Sequence, residues 1–268
     1  MDIARQVTRR AAIKDMGKAG LAVMVFGTAC TGEPGSRSTT TSPDATSTSL
    51  GSSTTTTTSE STTTPPETPT TEWARVQMAI VSAYILYRSG EAALVDTGQA
   101  GSAPSIQAAL TDVGLNWGAI GHVILTHRHP DHIGSAPAVA ALAPDSIFYI
   151  GEGDADAVAD LGEDGPTLAT DGDDIFGMRI ISTPGHTPGH ISVLDESAGV
   201  LVAGDAMNRA DGALTGSNPS FTADEAAANE SIRKLAGFDF ETILFGHSDP
   251  ILSGGSAEVE ALATSLNG

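Results

Sequence analysis

The chain has 268 residues, 40% of them hydrophobic and only 4% aromatic, and its 33 acidic against 13 basic side chains give a formal charge of −20. A surface that negative repels phosphate backbones and anionic lipid, which argues against a nucleic-acid partner and against electrostatic attachment to membranes. The single cysteine, Cys30, excludes a disulfide within the chain and leaves no thiolate for a metal site further along it.

The N-terminal segment contains "TRRAAIKDMGKAGLAVMVFGTAC", in which Arg9 and Arg10 precede an apolar stretch from Leu21 to Ala29 that stops at Cys30. That stretch is too short to span a bilayer as a mature helix and reads as an export signal. The arginine pair resembles the twin-arginine signal of bacterial export, and Cys30 resembles a lipoprotein processing site whose cysteine is lipidated. The expectation is a signal peptide over residues 1–30 and a protein held on the outer face of the membrane through Cys30 alone; cleavage nearby would leave it secreted. From residue 31 to 72, Ser and Thr fill 26 of 42 positions, with Pro34, Pro43, Pro65, Pro66 and Pro69 among them. Such a tract buries too little apolar surface to offset its ordering entropy, so it reads as a disordered linker.

Residues 73–268 are then a single domain with 26 acidic and 7 basic side chains, a formal −19. In chain order, "AYILYRS" and "AALVDTG" predict two strands joined at Gly90, and Ser102 or Ser105 caps a helix through Val113 that Gly114 ends. "HVILTH" predicts a buried strand, "SAPAVAALA" a helix and "SIFYI" another strand. Glu152, Asp154, Asp156, Asp160, Glu163, Asp164, Asp171, Asp173 and Asp174 read as a solvated acidic face. "GMRIIST", "ISVLDE" and "GVLVAGD" continue the sheet, Thr222 with Glu225 predicts a capping box for a helix through Leu235, and "ETILF" and "SAEVEALATSL" add a last strand and helix. This alternation predicts a layered α/β domain with chemistry at its strand ends.

Those strand ends carry an unusual set of residues. "THRHPDHIG" places His127, His129, Asp131 and His132 within six positions after an apolar run, although the chain has only seven histidines. His186 follows a second strand in "ISTPGHTPGH", Asp205 a third and His247 a fourth. Residues far apart in sequence meet where strand ends converge, and these seven suffice for two metal ions with nitrogen and oxygen ligands. Zinc suits them best, with Fe or Mn compatible. His122, at a strand start, reads as structural.

The order of these motifs resembles the metallo-β-lactamase superfamily from Tyr84 to Pro250. The resemblance implies a four-layer αββα sandwich with the site at one edge of its two sheets. It further implies that His127, His129 and His186 bind one zinc ion, Asp131, His132 and His247 a second, and that Asp205 bridges them. Asp96 in "LVDTG" matches a buried aspartate that orients ligands, and His190 a histidine that supports its loop.

Two such ions share a hydroxide at neutral pH, which implies hydrolysis of an ester, lactone or thioester, with Asp131 orienting the nucleophile and passing on its proton. The substrate is therefore expected to be a small carbonyl compound; the oligomeric state is left open. The closest branch in pattern is that of the hydroxyacylglutathione hydrolases and lactonases. Only about twenty residues follow His247, however, where the former carry a glutathione-holding helical domain. Asn208 stands where acyl-homoserine lactonases have a tyrosine. Two alternatives remain at this stage: a mononuclear iron, persulfide dioxygenase-like oxidoreductase, and a non-catalytic surface metalloprotein.

Overall fold

The computed structural model describes residues 70–161 and 165–266. The export signal, Cys30, the linker to residue 69, and Glu163 and Asp164 lie outside the described residues. Strands β1 (Glu72–Gln77), β2 (Ser82–Arg88), β3 (Glu91–Val95), β4 (Ile120–Leu125), β5 (Ile147–Gly151) and β6 (Thr167–Ala169) form one sheet in that spatial order. A second sheet contains β7 (Asp174–Ile175), β8 (Met178–Ser182), β9 (Ile191–Asp195) and β10 (Val200–Gly204). A separate hairpin, β11 (Met207–Ala210) and β12 (Ala213–Gly216), precedes the last strand, β13 (Thr242–Phe245), and the second sheet has the order β13-β10-β9-β8-β7.

Side chains on successive strand residues point to opposite faces, so the apolar runs of the sequence feed two layers at once. Ala83 and Ile85 of β2, Leu94 of β3 and Val123 and Leu125 of β4 pack outward against Ile106 and Leu110 of helix α1 (Ala103–Asp112). Past the short α2 (Pro130–Ile133), Ala136 and Val139 of α3 (Ala136–Leu142) join the same cluster. The intervening residues Tyr84, Leu86, Val95 and Ile124 face the second sheet, where they meet Met178, Ile180, Val193, Val202 and Leu244. On the far side, Leu201, Ile243 and Phe245 pack on Ile232 and Leu235 of α4 (Glu225–Leu235) and Val259 of α5 (Gly255–Ser265). The resulting order of helix, sheet, sheet and helix layers is the four-layer αββα sandwich.

Local details depart from the sequence expectation. The strands β1, β6 and β7 and the hairpin β11–β12 arise from segments such as "MNRA" whose polarity hides the period-2 pattern. Helix α4 begins after Asp224, whose carboxylate accepts from Ala227 N–H at 3.0 Å. Thr222 does not cap it, because its hydroxyl donates to Asn218 O at 2.7 Å. No helix among the described residues is long and apolar enough to cross a membrane.

Candidate metal centre

Strand polarity brings the seven donors to one edge. β3 and β4 are parallel, as are β10 and β13, and β8 and β10 both run antiparallel to β9. The segment after β4 meets the start of β9 across the two sheets, where Ile191 N–H donates to Thr126 O at 2.9 Å. Pro130 starts α2 with a preset φ, so His129 precedes the helix in extended backbone while Asp131 and His132 sit on its single turn.

The imidazoles converge through particular nitrogens. His127 Nε2 and His186 Nε2 lie 3.1 and 2.9 Å from His129 Nδ1. His132 Nε2 lies 3.3 Å from His247 Nε2, and Asp131 Oδ2 is 3.3 Å from the latter. Asp205 stands between the two groups, with Oδ1 3.5 Å from His132 and Oδ2 3.5 Å from His186 and 3.2 Å from His247. The donor atoms of His127, His129 and His186 lie within 4.8 Å of one another, and the same holds for Asp131, His132 and His247 and for His127, His132 and Asp205. Gly246, just before His247, is required by this crowding, since a Cβ there would come 2.7 Å from His132 Cε1 and closer still to Asp205.

The second nitrogen of four of these rings is held by a fixed partner, which turns Nε2 to the centre. His132 Nδ1–H donates to Asp96 Oδ2 at 2.7 Å, and His247 Nδ1–H to Ile80 O at 2.5 Å. His186 Nδ1–H donates to Ser217 Oγ at 3.0 Å. His127 Nδ1–H donates to Thr126 Oγ1 at 3.0 Å, because that hydroxyl commits its own proton to Asp96 at 2.8 Å. Asp96 also accepts Thr126 N–H at 2.7 Å, and it holds φ at +63°, a conformation rare for residues other than glycine. His190 takes no part in the cluster itself. Its Nε2 accepts Asp205 N–H at 3.0 Å, so its Nδ1–H faces Thr183 Oγ1 at 2.8 Å. His122 is separate, 3.3 Å from Tyr149 Oη on β5.

Protonation follows burial and charge. Burial and then the neighbouring imidazoles hold His127 well below its ordinary 6.5; burial lowers His190 to about 3 and, against Asp205, His186 to about 4. His129 is lowered by burial too. At His132 burial also opposes the charge, but Asp96 and Asp205 together outweigh it and raise the ring to about 10. The Asp205 hydrogen bond raises His247, and although burial opposes ionisation of Asp205, His132 and His247 keep it well below the usual carboxylate range.

These residues fit a divalent cation. The neutral imidazoles of His127 and His186 both aim Nε2 lone pairs at His129 Nδ1, which carries at most one proton, and Asp205 Oδ1 is buried with no hydrogen-bond partner. A cation at the centre would satisfy both, and imidazole with carboxylate is the donor set of zinc and similar ions. The cluster forms the floor of a cavity of about 960 Å³ that His129, Asp131, His186, Asp205 and His247 line. At its rim stand Ile80 and Phe221, 61% and 66% exposed, and one wall is the β11–β12 hairpin.

Sequence reasoning missed Thr126, Ser217 and the Ile80 carbonyl as the groups that orient the rings. Thr126 adjoins the His-rich motif and was within reach; Ser217 and Ile80 lie in loops with no local signal. One acidic residue also departs from expectation: Asp154 is 1% exposed, whereas Glu152, Asp156, Asp160, Asp171 and Asp174 lie on the surface.

A family model described as the metallo-beta-lactamase superfamily matches residues 78–247. Bacillus subtilis (strain 168) YobT is 33% identical over 147 residues, covering 47% of this chain and 62% of YobT. The thioesterase pkgB of Emericella nidulans is 30% identical over 182 residues, covering 66% of this chain and 48% of pkgB. The chain thus spans less than two thirds of either relative. Among solved structures, the metallo-beta-lactamase family protein TTHA1429 from Thermus thermophilus superposes with a TM-score of 0.58 at 23% identity, over 73% of this chain and 79% of that one. With its layers, its clustered donors and a family match over more than half its length, the chain belongs to the metallo-β-lactamase superfamily.

Proposed function

We propose that this protein is an exported, dinuclear metal-dependent hydrolase that cleaves an uncharged ester, lactone or thioester. The observation that carries the reading is the convergence of seven nitrogen and carboxylate donors, five of which line a cavity with Ile80 and Phe221 at its rim. In this reading His127, His129 and His186 would hold one divalent ion and Asp131, His132 and His247 a second, with Asp205 standing between the two groups. Two such ions, when bound, supply Lewis acidity and lower the pKa of water towards about 7.

The chain's own residues do the rest. Asp96, Thr126, Ser217 and the Ile80 carbonyl fix four rings so that little reorganisation accompanies reaction. Asp131 directs Oδ2 to His247 and is open to the cavity, which leaves its other oxygen to hold a proton in transit to the leaving group. Ile80 and Phe221 at the rim offer an apolar seat for the acyl portion. The cavity is of a size that takes a drug-sized molecule. The thioesterase among the relatives supports a thioester as one member of the substrate class. Export by a twin-arginine-like route and a lipid anchor at Cys30 belong to the same proposal.

The test uses the full chain, with metal content measured alongside turnover of a panel of neutral esters, lactones, thioesters and β-lactams. Two divalent ions per chain are expected, with activity lost on chelation and restored by zinc or manganese. His127→Ala is expected to lose metal, and Asp205→Asn to lower metal content and rate together. Full turnover by metal-free protein would sink the assignment, and a single iron with consumption of dioxygen would replace it by the oxidoreductase alternative.

A further inference from the structure

The buried carboxylate of Asp154 lies under both histidine loops, and none of the roles above uses it. It sits in the 3-10 turn Glu152–Val158 that follows β5, in the sequence "GEGD". Its Oδ2 accepts Arg128 N–H at 3.1 Å and the Thr187 hydroxyl, and its Oδ1 accepts Gly189 N–H at 3.2 Å. Arg128 stands between His127 and His129, Thr187 follows His186, and Gly189 precedes His190. One carboxylate therefore holds a group covalently adjacent to each of these four histidines, on two loops that come one from each sheet.

The surrounding backbone is shaped for this reach. A Cβ on Gly153 would come 2.7 Å from the Pro188 carbonyl carbon and 2.8 Å from Gly189 N, and one on Gly189 would come 2.8 Å from Asp154 Cβ. Backbone thus lies directly on backbone between the acidic turn and the His186 loop, and only glycine permits the approach. The nearby cation, Arg128, keeps Nε 3.7 Å away on a side chain 45% exposed. A desolvated carboxylate with so weak a counter-charge is costly and is sustained by the N–H and O–H groups it accepts from. Its charge also reaches His129, whose protonated form it favours.

We propose that Asp154 is a positioning residue that sets the spacing of the His127, His129 and His186 donors by tying Arg128, Thr187 and Gly189 to one carboxylate. The proposal rests on the reading of the cluster as a metal centre. Zinc–nitrogen bonds of about 2.0 to 2.1 Å tolerate deviations of about 0.2 Å, so a small slip of one loop against the other is enough to weaken binding. Asp154→Asn keeps the shape but removes the charge and turns an amide N–H towards a backbone N–H.

The experiment titrates zinc into the full-length wild type, Asp154→Asn, Thr187→Val and Thr187→Ser against a chromophoric chelator, with the melting temperature and the absorption of the cobalt-loaded form as companion readings. Asp154→Asn is expected to bind zinc about 10- to 100-fold more weakly, with a displaced cobalt spectrum and metal-free protein that still melts cooperatively. Thr187→Val should shift affinity the same way by less, and Thr187→Ser should restore it. A folded Asp154→Asn protein that binds zinc within twofold of wild type overturns the proposal. If that variant does not fold, equal affinities for Thr187→Val and Thr187→Ser overturn it instead. Wild type that binds no divalent metal removes the metal-centre reading and this proposal with it, whereas a wild type that binds zinc and hydrolyses nothing on the panel removes only the hydrolase reading.

Discussion

Tyr84 joins the core to the site. Its ring faces the space between the sheets, and its hydroxyl donates to Phe245 O at 2.8 Å, two residues before His247. Burial, partly offset by Arg75, pushes its pKa up to about 12. Because the folded value lies above the unfolded value of about 10, the folded state keeps a proton that the unfolded chain loses, and stability present below pH 10 is lost as pH rises to about 12. A shift of about two units corresponds to about 2 to 3 kcal/mol over that window. Tyr84→Phe should lower stability at pH 7 by about 1 to 2 kcal/mol and flatten the loss between pH 10 and 12. Urea titrations across the window check this; parallel curves for the two proteins would contradict it. Residues of this kind are poorly legible in sequence. The candidate donors could be recognised because four of them crowd one motif, but Ser217 meets His186 across 31 positions and Asp154 meets Thr187 across 33. Nothing in the local pattern distinguishes Asp154 from the exposed acids around it.

Helix α4 borders the cavity with Glu225, Ala228 and Asn229, so its first turn bears on the site as well as on the second sheet. The sequence pattern Thr-x-x-Glu points to Thr222 as the cap. The structure uses Asp224, whose extended backbone lets the side chain return to Ala227 N–H, and leaves Thr222 to hold Ser217 at 2.8 Å. Asp224→Ala is expected to reduce stability by about 1 kcal/mol in urea unfolding. An unchanged midpoint would return the capping role to Thr222. Strands with both faces covered were the most legible elements, because burial on each side leaves an unbroken apolar run such as "AALV" or "VLVAG". The hairpin β11–β12 was not, since it is paired only with itself and its residues are half-buried or exposed apart from Met207 and Leu214.

At the scale of the molecule, the residues from 73 onward carry a formal −19. Arg209 is the only Lys or Arg among the described residues that line the cavity. An anionic substrate would gain at bound cations over a few ångströms but lose on approach, and the approach term is screened with a Debye length of about 8 Å at physiological salt. kcat/KM for an anionic ester is therefore expected to rise between about 0.02 and 0.5 M NaCl at constant metal occupancy, while that of a neutral lactone of similar size stays nearly flat. A steep fall for the anion would mean that the site attracts it, and the preference for uncharged substrates would have to be abandoned.

The sequence by itself determined the layered α/β class and the apolar strand runs and singled out seven candidate donors, because each is written locally: in unbroken apolar runs, or in histidines and aspartates placed after strands. Tertiary structure alone decided which nitrogen of each ring faces the centre, that Thr126, Ser217 and the Ile80 carbonyl hold the rings, and that Asp154 is buried beneath them. Those facts depend on contacts between two sheets and the loops at their edge. A hydrogen bond formed across thirty residues or more leaves no periodicity in the chain from which it could be read.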